Sequence, residues 1–345
     1  MRALALTAVG GPEHLALLEL PAPLLRAPDD VLIRIRTAAL NRLDLFVVGG
    51  LPGVDYNLPL IVGADGAGVV EAVGAAVRDI APGDRVMLNP GLSCGGCDCC
   101  CAGDEPLCPH FRVLGEHRPG TLAEYIVVPA ANVGRVPAQM PWDQAAAFSL
   151  AALTAWRMLT TRAAVRAGET VLVWGVGGGV GMAALQIGLH LGARVIATSS
   201  KADALTLARA QGAAAALDHT AADVVAEVRR LTDGRGADVV VDSVGERTWV
   251  DSLRALRRGG RLVTCGATTG PHVALDLRKL FWHRWTLLGS TLGSRREYAE
   301  IVRLAHEGHL WPVVEPAVPL ADAPAAFARL ARGEQHGKLV IEVTT

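Results

Sequence analysis

The sequence predicts an α/β protein with two domains: a doubly wound parallel β-sheet flanked by helices, and a mostly antiparallel, partly open β-barrel. The first observation is the length of 345 residues, which is too long for one small core. The second is the regular alternation of short apolar strands with helical segments from Glu169 onward. The third is the abundance of short β-like runs, broken by Gly and Pro, in the first 150 residues.

Composition and charge narrow the possible partners. The hydrophobic fraction of 51% is that of a folded protein, and the net charge of -1 provides no general basic field for nucleic acid or an anionic membrane. The most apolar stretch, Val171–Thr198, contains many glycines together with His190 and Arg194, so it does not predict a membrane-spanning helix. We therefore expect a cytoplasmic protein with no nucleic-acid and no membrane partner.

The N-terminal elements follow from short local patterns. Residues Val31–Arg36 alternate apolar and polar side chains, as a half-buried strand does. A second strand, Val69–Gly74, leads to a turn at Pro82–Asp84 and then to another strand, Arg85–Leu88. A cysteine-rich loop lies between Asn89 and Leu114.

In the second half of the chain, predicted strands alternate with predicted helices. The segment Trp142–Arg162 is Ala-rich with helical spacing. The predicted strands that follow are Val171–Trp174, Arg194–Thr198, Ala214–Leu217, Asp238–Asp242, Arg261–Cys265 and Thr286–Gly289, with helices such as Gly181–Leu191 and Lys201–Gln211 between them. The chain is predicted to end with a helix over Arg295–Gly308, a helix near Pro324–Arg332 and a strand over Lys338–Val343. Six strands with intervening helices predict the doubly wound parallel sheet.

A glycine-rich turn follows the first of these strands. Glycines at 175, 178 and 181 permit a tight turn from strand to helix, and they let a pyrophosphate approach the amides at the helix N-terminus. We therefore expect Gly177, Gly178, Gly179 and Val180 to bind a dinucleotide. A flexible glycine loop without a ligand is the alternative.

The end of the second strand indicates which nucleotide binds. The strand ends Thr198-Ser199-Ser200-Lys201, where an NAD site usually has a carboxylate for the ribose hydroxyls. Small hydroxyls and an ammonium leave room and charge for a 2′-phosphate, so Ser199, Ser200 and Lys201 favour NADPH over NADH. The alternative is that Ser200 and Lys201 only cap the next helix.

Six of the seven cysteines lie between Cys94 and Cys108, a cluster too tight for a disulfide framework. The spacing of Cys94, Cys97, Cys100 and Cys108 predicts one tetrahedral Zn²⁺ that structures a lobe over residues 90–114 and has no open coordination position. Cys99 and Cys101 are expected to be bystanders. A shifted register that uses Cys101, an iron–sulfur cluster and a metal-free loop remain alternatives.

Taken together, these features resemble the medium-chain dehydrogenase/reductase superfamily, which includes zinc alcohol dehydrogenases and quinone or enoyl reductases. The matching segments are the glycine turn, the cysteine loop, Ala39–Asp44, Gly63–Gly68, Pro82–Val86, Val241–Gly245 and Gly337-Lys338. The resemblance implies a GroES-like domain over 1–152 and 292–345, interrupted by a Rossmann domain over 153–291. It also implies a homodimer or homotetramer.

The departures from the family pattern concern the catalytic zinc. Asn41, Ala64 and Leu150 stand where the resemblance places a Cys, a His and a second Cys, and Leu43 replaces a proton-relaying hydroxyl. Of the expected donors only Asp65 could serve as a ligand. The resemblance therefore predicts one structural zinc per chain and no catalytic zinc.

Without a Lewis acid, hydride removal from an ordinary alcohol is difficult, whereas an activated alkene carries its own electron-withdrawing group. The expected function is accordingly NADPH-dependent hydride delivery to an activated C=C or quinone, with an enone, enal, enoyl thioester or quinone as substrate. One alternative is a zinc-dependent alcohol dehydrogenase or ketone reductase with non-standard ligands. Another is a protein that binds NADPH without turnover.

Three residues are candidates for the chemistry. Asn41 could donate amide N–H groups to a substrate carbonyl or to the nicotinamide, or could merely stabilise a turn. Asp44 is a charged neighbour, more simply explained by an ion pair, and Tyr56 is a possible proton donor. Family positions along the cofactor correspond to Thr154, Val244, Cys265, Ala267, Ser290 and Leu292. Cys265 is expected to be a small apolar filler.

Overall fold

Two separate β-sheet systems organise the chain, and the computed structural model describes them over residues 1–344. One unit consists of Met1–Ala151 together with the residues from Gly293 onward, and the second unit is Ala152–Leu292. The predicted fold class is confirmed, since one unit contains a six-stranded parallel sheet and the other contains mainly antiparallel strands.

The N-terminal part of the first unit is mainly antiparallel. Its strands are β1 (Arg2–Leu6), β2 (Leu15–Glu19), β3 (Asp30–Ala39), β4 (Leu60–Ile61), β5 (Asp65–Val73), β6 (Arg85–Leu88), β7 (Gly91–Leu92), β8 (Arg112–Val113), β9 (Tyr125–Pro129) and β10 (Val133–Arg135). Its helices are α1 (Arg42–Gly49), α2 (Asp98–Cys101) and α3 (Trp142–Ala146). Strand β3 alternates buried and half-buried side chains along its middle, so one face of the strand packs on the core of this unit.

The middle of the chain carries the parallel sheet. Its elements are α4 (Ser149–Arg157), a π-helical turn (Met158–Arg162), β11 (Thr170–Val173), α5 (Gly179–His190), β12 (Arg194–Ser199), α6 (Ala202–Ala210), β13 (Ala215–Asp218), α7 (Val224–Leu231), β14 (Ala237–Asp242), α8 (Glu246–Ala255), β15 (Leu256–Thr264), α9 (Leu277–His283) and β16 (Thr286–Gly289). The strand order is β13-β12-β11-β14-β15-β16, with every pair parallel. All side chains of β11 and β14 are buried, as expected for strands covered on both faces.

The C-terminal elements return to the first unit. They are α10 (Arg295–His306), β17 (Val318–Pro319), α11 (Ala323–Arg332) and β18 (Val340–Glu342). Strand β18 pairs with β3, so the last strand extends the sheet that the N-terminal strands form. Helix α10 begins at a capping box in which the Ser294 N–H donates to the Glu297 carboxylate at 2.6 Å.

The segment Trp142–Arg162, whose sequence has helical spacing, is divided in the structure into α3, α4 and the π-helical turn. The N–H of Leu150, in the first turn of α4, donates to the Asp65 Oδ1 atom at 2.8 Å, so a carboxylate remote in sequence caps the second helix. Among the described residues, no helix combines the length and apolar character that a bilayer crossing requires.

Candidate active site and metal centre

Four thiols converge in the loop that the β7–β8 pair closes. The Sγ atoms of Cys94, Cys97, Cys100 and Cys108 all lie within 4.8 Å of one another. The Cys97–Cys100 and Cys94–Cys108 Sγ distances are both 3.5 Å, and the Cys94–Cys100 distance is 3.9 Å. Zinc–sulfur bonds of about 2.3 Å in a tetrahedron require edges of about 3.8 Å, so the four thiols fit one zinc ion.

The other two cysteines of the loop do not join this group. Short helix α2 places Cys97 and Cys100 one turn apart, on the same side. The Sγ of Cys101 instead lies 3.8 Å from the Gly96 carbonyl oxygen, and neither Cys99 nor Cys101 belongs to the converging set. The geometry favours the register with Cys100 as the ligand. A tetrahedral zinc bound by these four sulfurs would have no open coordination position, as in structural zinc sites.

The glycine turn in the second unit leaves an open backbone surface. Gly175 has a φ of 74°, and a Cβ at Gly181 would lie 2.3 Å from the Gly175 carbonyl oxygen, so neither position tolerates a side chain without rearrangement. Gly178 precedes the first residue of α5, and a Cβ there would meet only one atom, at 3.6 Å. This open cradle at a helix N-terminus fits a dinucleotide pyrophosphate.

The end of β12 lies against that cradle. A Cβ built on Gly177 would be 3.2 Å from the Ser199 Oγ and 3.6 Å from the Lys201 Cδ. The Ser199 hydroxyl accepts the Lys201 backbone N–H at 3.0 Å. Ser199 is buried, Ser200 is exposed and Lys201 is half-buried. The Ser199 hydroxyl and the Lys201 side chain, both predicted to bind a 2′-phosphate, thus lie beside the turn.

The other predicted cofactor residues fall along one edge of the second unit. Val244 follows β14, Cys265 and Ala267 follow β15, Ser290 and Leu292 follow β16, and Thr154 lies on α4. Parallel strands bring their carboxyl ends to the same edge, which is where open α/β sheets bind ligands. Burial raises the pKa of Cys265 to about 12, which disfavours the thiolate form. Contact of these residues with a nucleotide stays a prediction.

Asn41 belongs to a buried polar cluster in the first unit. Its Nδ2 donates to the Asp65 Oδ2 atom at 2.9 Å, and the Lys338 ammonium donates to its Oδ1 atom. The same ammonium donates to Asp65 Oδ2 at 3.0 Å. The sheet explains the convergence, because Ala39 of β3 pairs with Asp65 on one side and with Val340 on the other. Both ends of the Asn41 amide are therefore engaged by the protein.

Lys338 was not among the candidates that the sequence indicated. It is one of only three lysines, and only 4% of it is exposed. An ammonium has three N–H groups, and among the described residues only the Asn41 and Asp65 oxygens lie within hydrogen-bond distance of this one. Its third N–H therefore has no acceptor among the described residues.

This cluster does not fit a catalytic zinc. A zinc ligand must offer a deprotonated nitrogen, sulfur or oxygen, and the Asn41 and Asp65 oxygens already accept from the Lys338 ammonium. Ala64 and Leu150, at the other family positions, have only apolar side chains. A dication here would lie beside a fixed positive charge with too few donors.

Asp44 lies on α1, three residues after Asn41, and is 1% exposed. Its carboxylate accepts the Asn41 backbone N–H at 2.6 Å. Burial raises the pKa of Asp44 to about 7, although hydrogen bonds from the backbone and the charge of Lys338 act in the opposite direction. Asp44 therefore titrates near neutrality beside the cluster.

We expect this titration to appear in the pH dependence of stability. A carboxyl whose pKa is raised from 3.8 to about 7 by folding stabilises the fold below pH 4, and this contribution is lost as the pH rises through 7. Asp44→Asn should therefore reduce the difference between the melting temperatures at pH 5 and pH 8. Asp55→Asn, on an exposed neighbouring loop, is the matched control. An unchanged pH profile in Asp44→Asn would contradict this assignment.

Tyr56 lies outside the polar cluster. Its hydroxyl accepts the Leu51 backbone N–H at 3.1 Å, and the side chain is half-buried. Burial raises the pKa of Tyr56 above its usual value. The observed contact is local and stabilises the loop after α1, while the predicted role as a proton donor remains untested.

Comparison with known proteins agrees with this architecture. Residues 27–138 match the family described as the alcohol dehydrogenase GroES-like domain, and residues 179–307 match the family described as zinc-binding dehydrogenase. Alcohol dehydrogenase 1 of Emericella nidulans is 30% identical over 341 residues, which cover 97% of this chain and 95% of the relative. An NAD-dependent alcohol dehydrogenase of Sulfurisphaera tokodaii is 30% identical over 99% of each chain.

Solved structures of alcohol dehydrogenases are also similar to this chain. A structure described as an NAD-dependent alcohol dehydrogenase has a TM-score of 0.94, 44% identity and full coverage of both chains. A thermostable alcohol dehydrogenase from Pyrobaculum aerophilum has a TM-score of 0.89 and 36% identity over 99% of each chain.

Proposed function

The chain belongs to the zinc-type medium-chain dehydrogenase/reductase superfamily and is an NAD(P)-dependent oxidoreductase, and from that premise we propose that it is an alcohol dehydrogenase. It would interconvert an alcohol and its aldehyde or ketone. The observation that carries this proposal is the similarity to alcohol dehydrogenases over nearly the whole chain, at up to 44% identity in the structures cited above.

The expected reduction of an activated alkene or quinone is wrong. Relatives that match this chain over most of their own length include alcohol dehydrogenases, several of them named as NAD-dependent. The absence of the family's catalytic-zinc ligands does not remove every cation near Asn41, because the Lys338 ammonium contacts both Asn41 and Asp65.

Lys338 supplies the function that the missing metal has elsewhere. The bound nicotinamide supplies or accepts the hydride. In the reducing direction negative charge develops on the carbonyl oxygen, and a fixed cationic N–H group stabilises that charge. The third N–H of Lys338 is the donor, while Asn41 and Asp65 fix the position of the ammonium.

Asp65 is held in turn by the fold. Its Oδ1 atom accepts the Leu150 N–H, and its Oδ2 atom accepts from Asn41 and Lys338, so the carboxylate has three donors although it is fully buried. These contacts fix the carboxylate, and through it they fix the position of the Lys338 ammonium. Oriented in this way, Lys338 requires little reorganisation when charge develops on the substrate.

Recognition of NADPH in preference to NADH is the second part of the proposal. It rests on Ser199, Ser200 and Lys201 beside the glycine turn. Some relatives are named as NAD-dependent, so a preference for NADPH would distinguish this chain from them. A charge-assisted contact contributes about 1.5–3 kcal/mol.

We expect Lys201→Ala to raise the KM for NADPH about 10-fold or more and to leave the KM for NADH nearly unchanged, because only NADPH carries the 2′-phosphate. Steady-state kinetics with both nucleotides measure this difference. Arg166→Ala removes an exposed cation of the same unit as a control. Equal effects on both nucleotides would indicate that Lys201 only starts helix α6.

The proposed reaction is tested with the purified, zinc-loaded protein. NADPH and NADH oxidation is followed with a panel of aldehydes and ketones, and the reverse reaction with the corresponding alcohols. Cyclohexenone and benzoquinone serve as the comparison substrates. We expect turnover of carbonyls and alcohols. Product analysis that finds only alkene or quinone reduction would refute the proposal.

A further inference from the structure

A basic cavity lies in the second unit, away from the glycine turn. Its volume is about 680 Å³, and its cationic lining residues are Arg229, Arg235, Arg254, Arg257, Arg258 and Lys279. No Asp or Glu lines it. This positive charge is a local feature of the cavity, since the net charge of the whole chain is only -1.

The wall of the cavity is formed by an irregularity in the sheet. Between the pairs Ala237–Leu256 and Val239–Arg261 the register of β14 and β15 shifts, so residues 257–260 lie opposite Asp238 alone. Gly259 permits this bulge with a φ of 69°. The bulge presents two consecutive arginines, Arg257 and Arg258, to the cavity.

Arg229 holds the wall in place. Its guanidinium donates to the carbonyl oxygens of Gly234 and Arg254, each at 2.9 Å. These contacts connect α7 to the turn that follows it and to the end of α8. The cavity is therefore preorganised by contacts within the protein.

Some of the cationic side chains that line the cavity have an acidic partner, and others do not. Arg257 pairs with Asp238, and Arg254 pairs with Asp251 at 3.3 Å. Within the part of the chain that the structure describes, no acidic group lies within salt-bridge distance of Arg235, Arg258 or Lys279. Three exposed cations thus surround a concave surface without a counter-charge.

The cavity and the predicted cofactor residues lie at opposite edges of one sheet. The cavity residues precede β14 and begin β15, whereas the predicted cofactor residues follow the carboxyl ends of the same parallel strands. Strand β14 runs from Ala237 to Asp242, and at about 3.3 Å per residue the two edges are about 20 Å apart. A dinucleotide on the glycine turn does not occupy this cavity.

We propose that the cavity binds a small ligand that carries a polyphosphate chain. Guanidinium groups match phosphate oxygens in geometry and charge, and several such groups together favour a multiply charged anion over a single carboxylate. His283 and Trp285 line the same cavity with rings stacked at 4.7 Å, which gives it an aromatic side. Free tripolyphosphate and a nucleoside triphosphate share the recognised chemistry.

The test is calorimetric titration of tripolyphosphate, and separately of ATP, into the zinc-loaded protein saturated with NADPH. We expect one site per chain and a Kd that weakens as salt is added. The double substitution Arg258→Glu/Lys279→Glu should raise the Kd at least 10-fold, and Arg166→Glu, outside the cavity, should not. Tighter binding of ATP than of tripolyphosphate would assign the aromatic side to a base.

Three results would overturn the proposal. The first is competition between NADPH and tripolyphosphate. The second is an unchanged Kd in the double variant, or in the milder Arg258→Gln/Lys279→Gln variant if the first does not fold. The third is much tighter binding of a single-stranded oligonucleotide than of ATP through the same two residues, which would indicate a nucleic-acid surface. All three readouts measure binding, so they are independent of the proposed alcohol dehydrogenase activity.

Discussion

Replacement of Lys338 by Met is expected to lower kcat for carbonyl reduction about 10²–10³-fold. Loss of one fixed donor to a developing oxyanion has effects of this size. In this protein the donor is an ammonium held by Asn41 and Asp65, and the residues at positions 41, 64 and 150 do not fit a metal that could compensate. The measurement is steady-state kinetics with NADPH and a substrate that the wild type reduces.

The same substitution should also destabilise the protein, so stability and catalysis have to be separated. Lys338→Met leaves the fully buried Asp65 carboxylate without its cation, which typically costs about 3–5 kcal/mol. Asp65→Asn/Lys338→Met removes both charges and should recover most of the melting temperature. If Lys338 acts on the substrate, kcat stays low in this double variant.

A kinetic isotope effect distinguishes the two roles further. When the oxyanion loses its donor, hydride transfer slows, and the effect of deuterated NADPH on kcat should approach its full intrinsic value. A structural role would lower the amount of folded enzyme without changing the isotope effect. Near wild-type turnover by folded Asp65→Asn/Lys338→Met would contradict the assignment of Lys338.

Much of the fold was predictable because its determinants are local. The strand before the glycine turn was predicted as Val171–Trp174 and is found as Thr170–Val173. Helix α10 was predicted over Arg295–Gly308 and is found over Arg295–His306. Apolar runs, glycine spacing and helix caps act over a few residues, so they can be recognised in one sequence. The same is true of the four cysteines, which span about 15 residues.

The features that were missed depend on contacts between distant segments. Lys338 meets Asn41 and Asp65 only because strand β3 brings β18 and β5 to its two sides. Likewise, the Ala-rich segment from Trp142 favours helix throughout, and its interruption depends on the Asp65 carboxylate at the Leu150 N–H. The residues at the family's zinc-ligand positions give no indication that Lys338, from the other end of the chain, lies beside Asn41. A signal was present, since Lys338 is a rare lysine in an arginine-rich sequence and is the first residue of the strand predicted over Lys338–Val343.

Removal of the zinc site should lower both the zinc content and the melting temperature of the protein. Cys108→Ser replaces the most buried of the four thiols, and we expect the zinc content to fall from about one per chain towards zero. A cross-link that closes about 15 residues stabilises a fold by about 3 kcal/mol, so the melting temperature should fall by about 6–12 °C. Metal analysis and thermal unfolding measure the two quantities.

The matched control is Cys99→Ser/Cys101→Ser, which removes two thiols from the same loop but none from the converging set. It should keep about one zinc per chain and the wild-type melting temperature, and loss of zinc there would support the shifted register with Cys101. Because the metal holds a loop and contacts no substrate, chelation well below the melting temperature should leave kcat per folded molecule unchanged. Immediate loss of turnover on chelation, or two zinc ions per chain, would mean that a metal participates in hydride transfer and that Lys338 is not the only cation at the reacting oxygen.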